Sequence, residues 1–349
     1  MFPFMKTATR RNFLKIVVAL TVFVSVLEML IGCVASEISK VITISYPSLP
    51  YNKIQPPKEG CFIGIYTTKL YRVENPSLIE QTKDYYGEAF GSKPSTFIMM
   101  IRLEKGFPMA QAIKLAQDNV IPFIHCDIGP KRPGLEPSLE VKDIVEGKYD
   151  NYIREYATGA VEFGKKYGGF FFTTMEEVNA DWYSWGQSSS FVEAWRHIWQ
   201  IFEEEGANHY ATWIWAVSSK EGKSKASLCS VDNPELYYPG DKYVDWISFN
   251  AFSVKGHSFS TMVYRMYKQM LKNHPQKPIM VEAFATTKNQ NQPNWLKDAY
   301  GSLRSDFPAI KAAIYWDNTW TLTGDHRLSS ESLETLKIIF QDTYWLMSR

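Results

Sequence analysis

Cysteine is scarce in this chain. Only Cys33, Cys61, Cys126 and Cys229 occur in 349 residues, and no two form a Cys-x-x-Cys pair. That excludes a disulfide-built scaffold and argues against a structural zinc site. Net charge is lacking too: 38 basic side chains meet 37 acidic ones, giving +1. A near-neutral chain has no general electrostatic reason to bind nucleic acid, so none is expected as a partner. Gly64-Ile65-Tyr66-Thr67 is not a Gly-rich phosphate loop, and no Gly-x-Ser-x-Gly or His-Glu-x-x-His motif occurs. Neither a metal nor another cofactor is expected. The abundant residues are apolar and aromatic, with 45% hydrophobic and 15% Phe, Trp and Tyr. This composition is too apolar for a disordered protein. Large rings can fill a core or line a cleft that takes the flat faces of sugars.

The N-terminus reads as an address. Thr9-Arg10-Arg11-Asn12-Phe13-Leu14-Lys15 precedes a mainly apolar run from Ile16 to Ile31, interrupted by Glu28. The run is short for a membrane span of about 20 residues and has the layout of a signal peptide. The double arginine is similar to a twin-arginine export signal. Leu30-Ile31-Gly32-Cys33 is similar to a lipobox, where Cys33 would be lipidated. An uncleaved anchor is the alternative. Either way the protein is expected outside the cytoplasm, attached to the membrane. Three segments follow: a signal peptide over 1–32, a polar spacer over 33–58 and one domain over 59–349.

Within that domain eight short apolar runs recur: Cys61–Tyr66, Thr96–Ile101, Val120–His125, Gly169–Thr174, Ala211–Ala216, Val244–Phe249, Pro278–Glu282 and Ala312–Trp316. Helix-like segments fill most intervals. One begins after Pro108, with Ala110, Ile113, Leu115 and Ala116 on its apolar side. Another follows a capping-box pattern at Ser190-x-x-Glu193, with Phe191, Trp195, Ile198, Trp199 and Phe202 at helical spacing. Strands alternating with helices imply a parallel sheet, and eight units imply a (β/α)8 barrel. A doubly wound open sheet is the alternative.

In such a barrel the chemistry gathers at the carboxyl ends of the strands. The fourth run is followed by Glu176, Glu177, Asn179, Trp182 and Trp185. A carboxylate there can serve as a general acid if burial raises its pKa. Trp213 and Trp215 of the fifth run share one side of a strand. Glu282 closes the seventh run, the usual place for a second catalytic carboxylate. Trp316 and Asp317 close the eighth. His125 and Asp127 close the third; with no second metal-binding pair, His125 reads as a satisfied core histidine.

The segment Glu177-Val178-Asn179-Ala180-Asp181-Trp182-Tyr183-Ser184-Trp185-Gly186 resembles the His-Glu-Met-Asn-Gly-x-Trp-Tyr-x-Trp-Gly signature of glycoside hydrolase family 26, which holds β-mannanases and some β-glucanases. Gly147-Lys148-Tyr149-Asp150, Trp213-Ile214-Trp215, Tyr238-Pro239-Gly240-Asp241 and Lys277-Pro278-Ile279-Met280 are similar to other family segments, in the same order. The resemblance implies a retaining (β/α)8 hydrolase of β-linked polysaccharide. It makes Glu177 the general acid/base and a Glu of the seventh strand the nucleophile. Retention needs carboxyls about 5–5.5 Å apart. In such a hydrolase Asn179 is expected to bond the sugar or the catalytic carboxylates, and Trp182, Trp185 and Trp316 are candidate platforms for stacking on sugar rings.

Three positions depart from the family. Its His before the acid/base is Glu176, and a second acid would tend to raise one pKa of the pair. Its Tyr near the nucleophile is Phe252. Its nucleophile falls on Ala283 when counted from Lys277-Pro278, so Glu282 stands one residue early. On a regular strand that slip turns Glu282 toward the helices unless a β-bulge re-aims it. Two other functions follow if Glu282 misses the cleft. One is a catalytically silent barrel that binds glycans at the cell surface. The other is an inverting hydrolase pairing Glu177 with Asp127 or Asp317, across roughly 6.5–9.5 Å.

Overall fold

Strands buried on both faces need side chains that are mostly apolar, and these are. Phe170-Phe171-Phe172-Thr173-Thr174 is buried at every position, as is Ala211-Thr212-Trp213-Ile214-Trp215-Ala216-Val217. A computed structural model describes residues 46–70, 75–128, 140–219, 231–253, 256–320 and 324–348. In chain order the strands are β1 (Cys61–Tyr66), β2 (Thr96–Arg102), β3 (Ile121–Asp127), β4 (Phe170–Thr174), β5 (Ala211–Val217), β6 (Trp246–Ser253), β7 (Ile279–Thr286) and β8 (Ile310–Trp316). Each pairs in parallel with the next. β8 closes on β1, from Phe62 opposite Ala312 to Tyr66 opposite Trp316. Every apolar run of the sequence overlaps one of these strands, and the closed sheet is the expected (β/α)8 barrel rather than an open one.

The helices are α1 (Pro76–Phe90), α2 (Met109–Ala116), α3 (Val141–Val145), α4 (Asp150–Tyr167), α5 (Phe191–Glu204), α6 (Phe259–Asn273), α7 (Gln292–Ser305) and α8 (Ser330–Ile339). Helix α5 buries Trp195, Trp199 and Phe202 as its spacing predicts. Its start differs from expectation: Ser190 precedes the helix, but its side chain makes no capping hydrogen bond. Trp213 and Trp215 face outward from β5. Trp213 meets Phe172, Trp195 and Phe202, and Trp215 meets Tyr238 and His274. Both indoles therefore fill the layer between barrel and helices.

The barrel interior is filled by every strand. Met100, Phe123, Phe171, Ile214, Met280 and Ile314 belong to this buried cluster, as does Trp246. Tyr46 to Lys58, assigned by sequence to a spacer, packs on the barrel instead of hanging free. The Lys53 ammonium forms a buried ion pair with Asp245 at 2.7 Å, and Ile54 N donates to Thr212 Oγ1 at 2.7 Å. Trp246 Nε1 in turn donates to Ile54 O. These contacts seal the amino end of the barrel and leave the carboxyl end for the site. The signal-like segment and Cys33 lie outside the described residues. Among those described, no helix is long and apolar enough to cross a membrane.

Candidate active site at the carboxyl ends of the strands

The chain leaves β4 through an abrupt turn. Met175 and Glu177 have φ of 49° and 53°, in the left-handed region that side chains with a Cβ avoid. Such backbone costs about 1–3 kcal/mol per residue and persists only where surroundings impose it. Here several bonds impose it. Glu177 N donates to Ala216 O of β5 at 2.8 Å. Trp185 Nε1 donates to Glu176 O at 2.8 Å. Gly186 closes the loop, since a Cβ there would sit 1.9 Å from Ala180 O.

The turn delivers the Glu177 carboxyl to two N–H donors. Trp182 Nε1 donates to Oε2 at 2.8 Å, and Asn250 Nδ2 of β6 donates to Oε1. A carboxyl offers about four lone-pair sites, so these two bonds do not by themselves exhaust it. Asn250 Oδ1 also accepts from Ser219 N at 3.2 Å, tying the end of β5 to the same cluster. Glu177 is half-buried.

Glu282 faces the barrel mouth. Met280 belongs to the interior cluster, so two-residue alternation aims Glu282 the same way. The register of β7 with β8 then slips: Glu282 lies opposite Ile314, but Phe284 lies opposite Tyr315. Ala283 is the extra residue, and its peptide with Glu282 is cis. Beyond it Phe284 turns outward, against Phe259 and Trp295. The bulge thus falls after Glu282, and the one-residue shift from the family pattern does not point the carboxyl into the helix layer. Glu282 is buried.

His125 fills the space between two acids and is no isolated core histidine. Phe123 is interior and His125 is next but one on β3, aimed the same way. Its Nδ1 bonds Glu176 Oε2, and its Nε2 lies 2.5 Å from Glu282 Oε1, a contact off the N–H axis. The ring is fully buried. Burial works against its charge, but Glu282 and Glu176 outweigh that and raise its pKa to about 10. Glu176 is therefore engaged with an imidazole. Tyr183 is held well above the usual phenol range by burial and by the charges of Glu176, Glu177 and Asp127, so it stays neutral.

Two residues expected on the substrate face elsewhere. Asn179 is fully buried: its Nδ2 donates to Ser218 O at 3.0 Å and Asp232 O at 3.1 Å, and its Oδ1 accepts from Ser218 N at 2.8 Å. With its amide so used, it clamps loops together. Asn250 is the amide on the carboxylate. Trp185 is 1% exposed and stacks on Tyr183 at 4.7 Å, so it supports the loop and offers no face to a sugar. Trp182 is half-buried and holds Glu177. Half-buried Trp316 stacks on Tyr66 at 4.1 Å and meets Phe252 edge-on at 5.8 Å. Asp317 is occupied, accepting from Tyr86 Oη and from Leu328 N at 2.7 Å. Asp127 is buried at the end of β3. Among the described residues no group of three His, Cys, Asp or Glu side chains is arranged to hold a metal ion. Cys61 and Cys126 are buried free thiols; Cys229 lies outside the described residues.

A family model described as Glycosyl hydrolase family 26 matches residues 139–346. Endoglucanase H of Acetivibrio thermocellus is 29% identical over 191 residues, covering 50% of this chain and 20% of that protein. Mannan endo-1,4-beta-mannosidase A and B of Caldalkalibacillus mannanilyticus is 22% identical over 129 residues, covering 34% and 23%. The matched stretches thus span about a fifth of the length of these curated relatives. A solved β-mannanase from a symbiotic protist of the termite Reticulitermes speratus, complexed with gluco-manno-oligosaccharide, superposes with a TM-score of 0.58 at 13% identity. That match covers 83% of this chain and 89% of that one. At this identity the likeness is one of fold.

Proposed function

The chain belongs to glycosyl hydrolase family 26, and on that premise we propose that it cleaves a β-linked mannan or glucan with retention, using Glu177 as acid/base and Glu282 as nucleophile. The observation that carries the reading is the differing treatment of two carboxyls at one barrel mouth. Glu177 is held by Trp182 and Asn250, yet half-open to solvent. Glu282 is buried, with Oε1 against His125 and Oε2 without a polar partner among the described residues. The first suits a group that exchanges protons with a leaving oxygen and with water. The second suits a group that forms a bond.

In the first step Glu177 gives its proton to the glycosidic oxygen while Glu282 Oε2 attacks the anomeric carbon. The bond to the leaving sugar breaks, and an ester to Glu282 forms. In the second step Glu177 takes a proton from water, whose oxygen attacks the same carbon and frees Glu282. Trp182 and Trp316 are the candidate apolar faces for the sugar. The relatives named for glucan and for mannan leave two substrates to compare. Hydrolysis of mannan and of mixed-linkage glucan by the wild type, Glu177→Ala and Glu282→Ala tests this. Turnover by the wild type and its loss in both variants support the reading. Glycan binding with no turnover in all three overturns it and favours a silent barrel. The signal-like Thr9–Lys15 and the lipobox at Cys33 support export and attachment at the cell surface, which fractionation of wild type and Cys33→Ser tests.

A further inference from the structure

This inference rests on the hydrolase reading above and concerns a residue which that reading leaves unused. Glu176 is buried, and its backbone carbonyl is fixed by Trp185. Its carboxylate bonds His125 Nδ1, while His125 Nε2 lies 2.5 Å from Glu282 Oε1. One imidazole from β3 thus joins the loop after β4 to the nucleophile of β7. A neutral imidazole carries one N–H. Whichever nitrogen held it, the other would turn a lone pair toward a carboxylate oxygen at contact distance. Only the doubly protonated ring sets positive charge, and no lone pair, beside both carboxylates.

We propose that Glu176 is a positioning residue: by accepting the Nδ1 proton it keeps His125 doubly protonated and fixed, so that the positive charge of the ring lies against Oε1 of Glu282 and leaves Oε2 to attack the sugar. The cationic ring then faces the oxygen that carries negative charge before attack and after release of the sugar. Among the described residues no Lys or Arg is a register neighbour of His125. Its register neighbours are Met100 on β2 and Thr173 on β4, and Phe123 lies against it at 4.8 Å. The other titratable groups nearby are Asp127 on its own strand, Glu177 beside Glu176, and Tyr183, whose hydroxyl is kept neutral. The backbone of Arg102 lies opposite Asp127, two residues beyond His125. The raised pKa of His125 accords with this arrangement.

The test is the imidazole nitrogen shifts of His125 against pH, read by NMR on the full chain and assigned with His125→Gln. In the wild type the ring stays doubly protonated through neutral pH. In Glu176→Gln, which keeps the shape and removes the charge, its midpoint falls by at least about one pH unit. The alkaline limb of kcat/KM falls with it. If Glu176→Gln does not fold, Glu282→Gln removes the other carboxylate and must lower the same midpoint. A neutral ring in the wild type at pH 7, or an unchanged midpoint in the folded variant, overturns the proposal. If the ring behaves as stated but the wild type cleaves no glycan, the hydrolase reading falls while the Glu176–His125 pairing stands.

Discussion

Nε2 of His125 lies 2.5 Å from Oε1 of Glu282, and the other oxygen of that carboxylate meets no polar partner among the described residues. The two oxygens therefore differ before any substrate arrives. One lies against an imidazole and the other meets no hydrogen-bond partner among the described residues. Glu177 is held differently, for each of its oxygens accepts an N–H. The contrast between the two carboxyls divides the labour proposed for them.

Removing the general acid should be partial and dependent on the leaving group. Glu177→Ala is expected to lower kcat on polysaccharide about 10²–10⁴-fold. The loss should shrink on a dinitrophenyl glycoside, whose leaving group needs no proton. Added azide should restore turnover and yield a glycosyl azide, measured by chromatography.

Asn250 holds Glu177 from a different strand. A hydrogen bond to a charged group contributes about 1.5–3 kcal/mol, or roughly 10–160-fold in rate. Asn250→Ala should reduce kcat/KM by that range. Steady-state kinetics beside thermal melts separate this from simple unfolding.

Asn179 should behave oppositely, because its amide is spent on Ser218 and Asp232. Asn179→Ala leaves buried partners unpaired, and we expect a stability loss of about 2–4 kcal/mol in denaturant titrations. The KM of the folded enzyme should be unchanged.

Stability should also carry the signature of His125. Its folded pKa is raised to about 10, against about 6.5 in an unfolded chain. A raised pKa means that the ion pairs stabilise fully below about pH 6.5 and fade as pH rises toward 10. Urea unfolding between those limits should show the wild type losing more stability than His125→Gln.

Much of the architecture was legible because strands buried on both faces must be continuous apolar runs, and this pattern survives without any partner in view. The aim of Glu282 was harder to read. The family count placed the nucleophile on Ala283, whereas interior Met280, two residues before Glu282, sets the direction of that carboxyl, and knowing that Met280 is interior needs the closed barrel. His125 looked isolated because its partners stand 51 residues away at Glu176 and much further along the chain at Glu282. Its inward row on β3 was the available clue. Asn179 and Trp185 lay inside the right motif, but a motif does not tell which of its polar groups are already used by the loop that carries them. Ser190 had the capping sequence without the bond.

The central claim is a covalent bond between sugar and Glu282, and a slow fluorosugar donor tests it most directly. A 2-deoxy-2-fluoro mannosyl or glucosyl fluoride should form the ester quickly and release it slowly. The account predicts a protein mass increased by one glycosyl unit, and peptide mapping that places it on Glu282. An adduct on another carboxylate, or hydrolysis with inversion and no adduct, would contradict it.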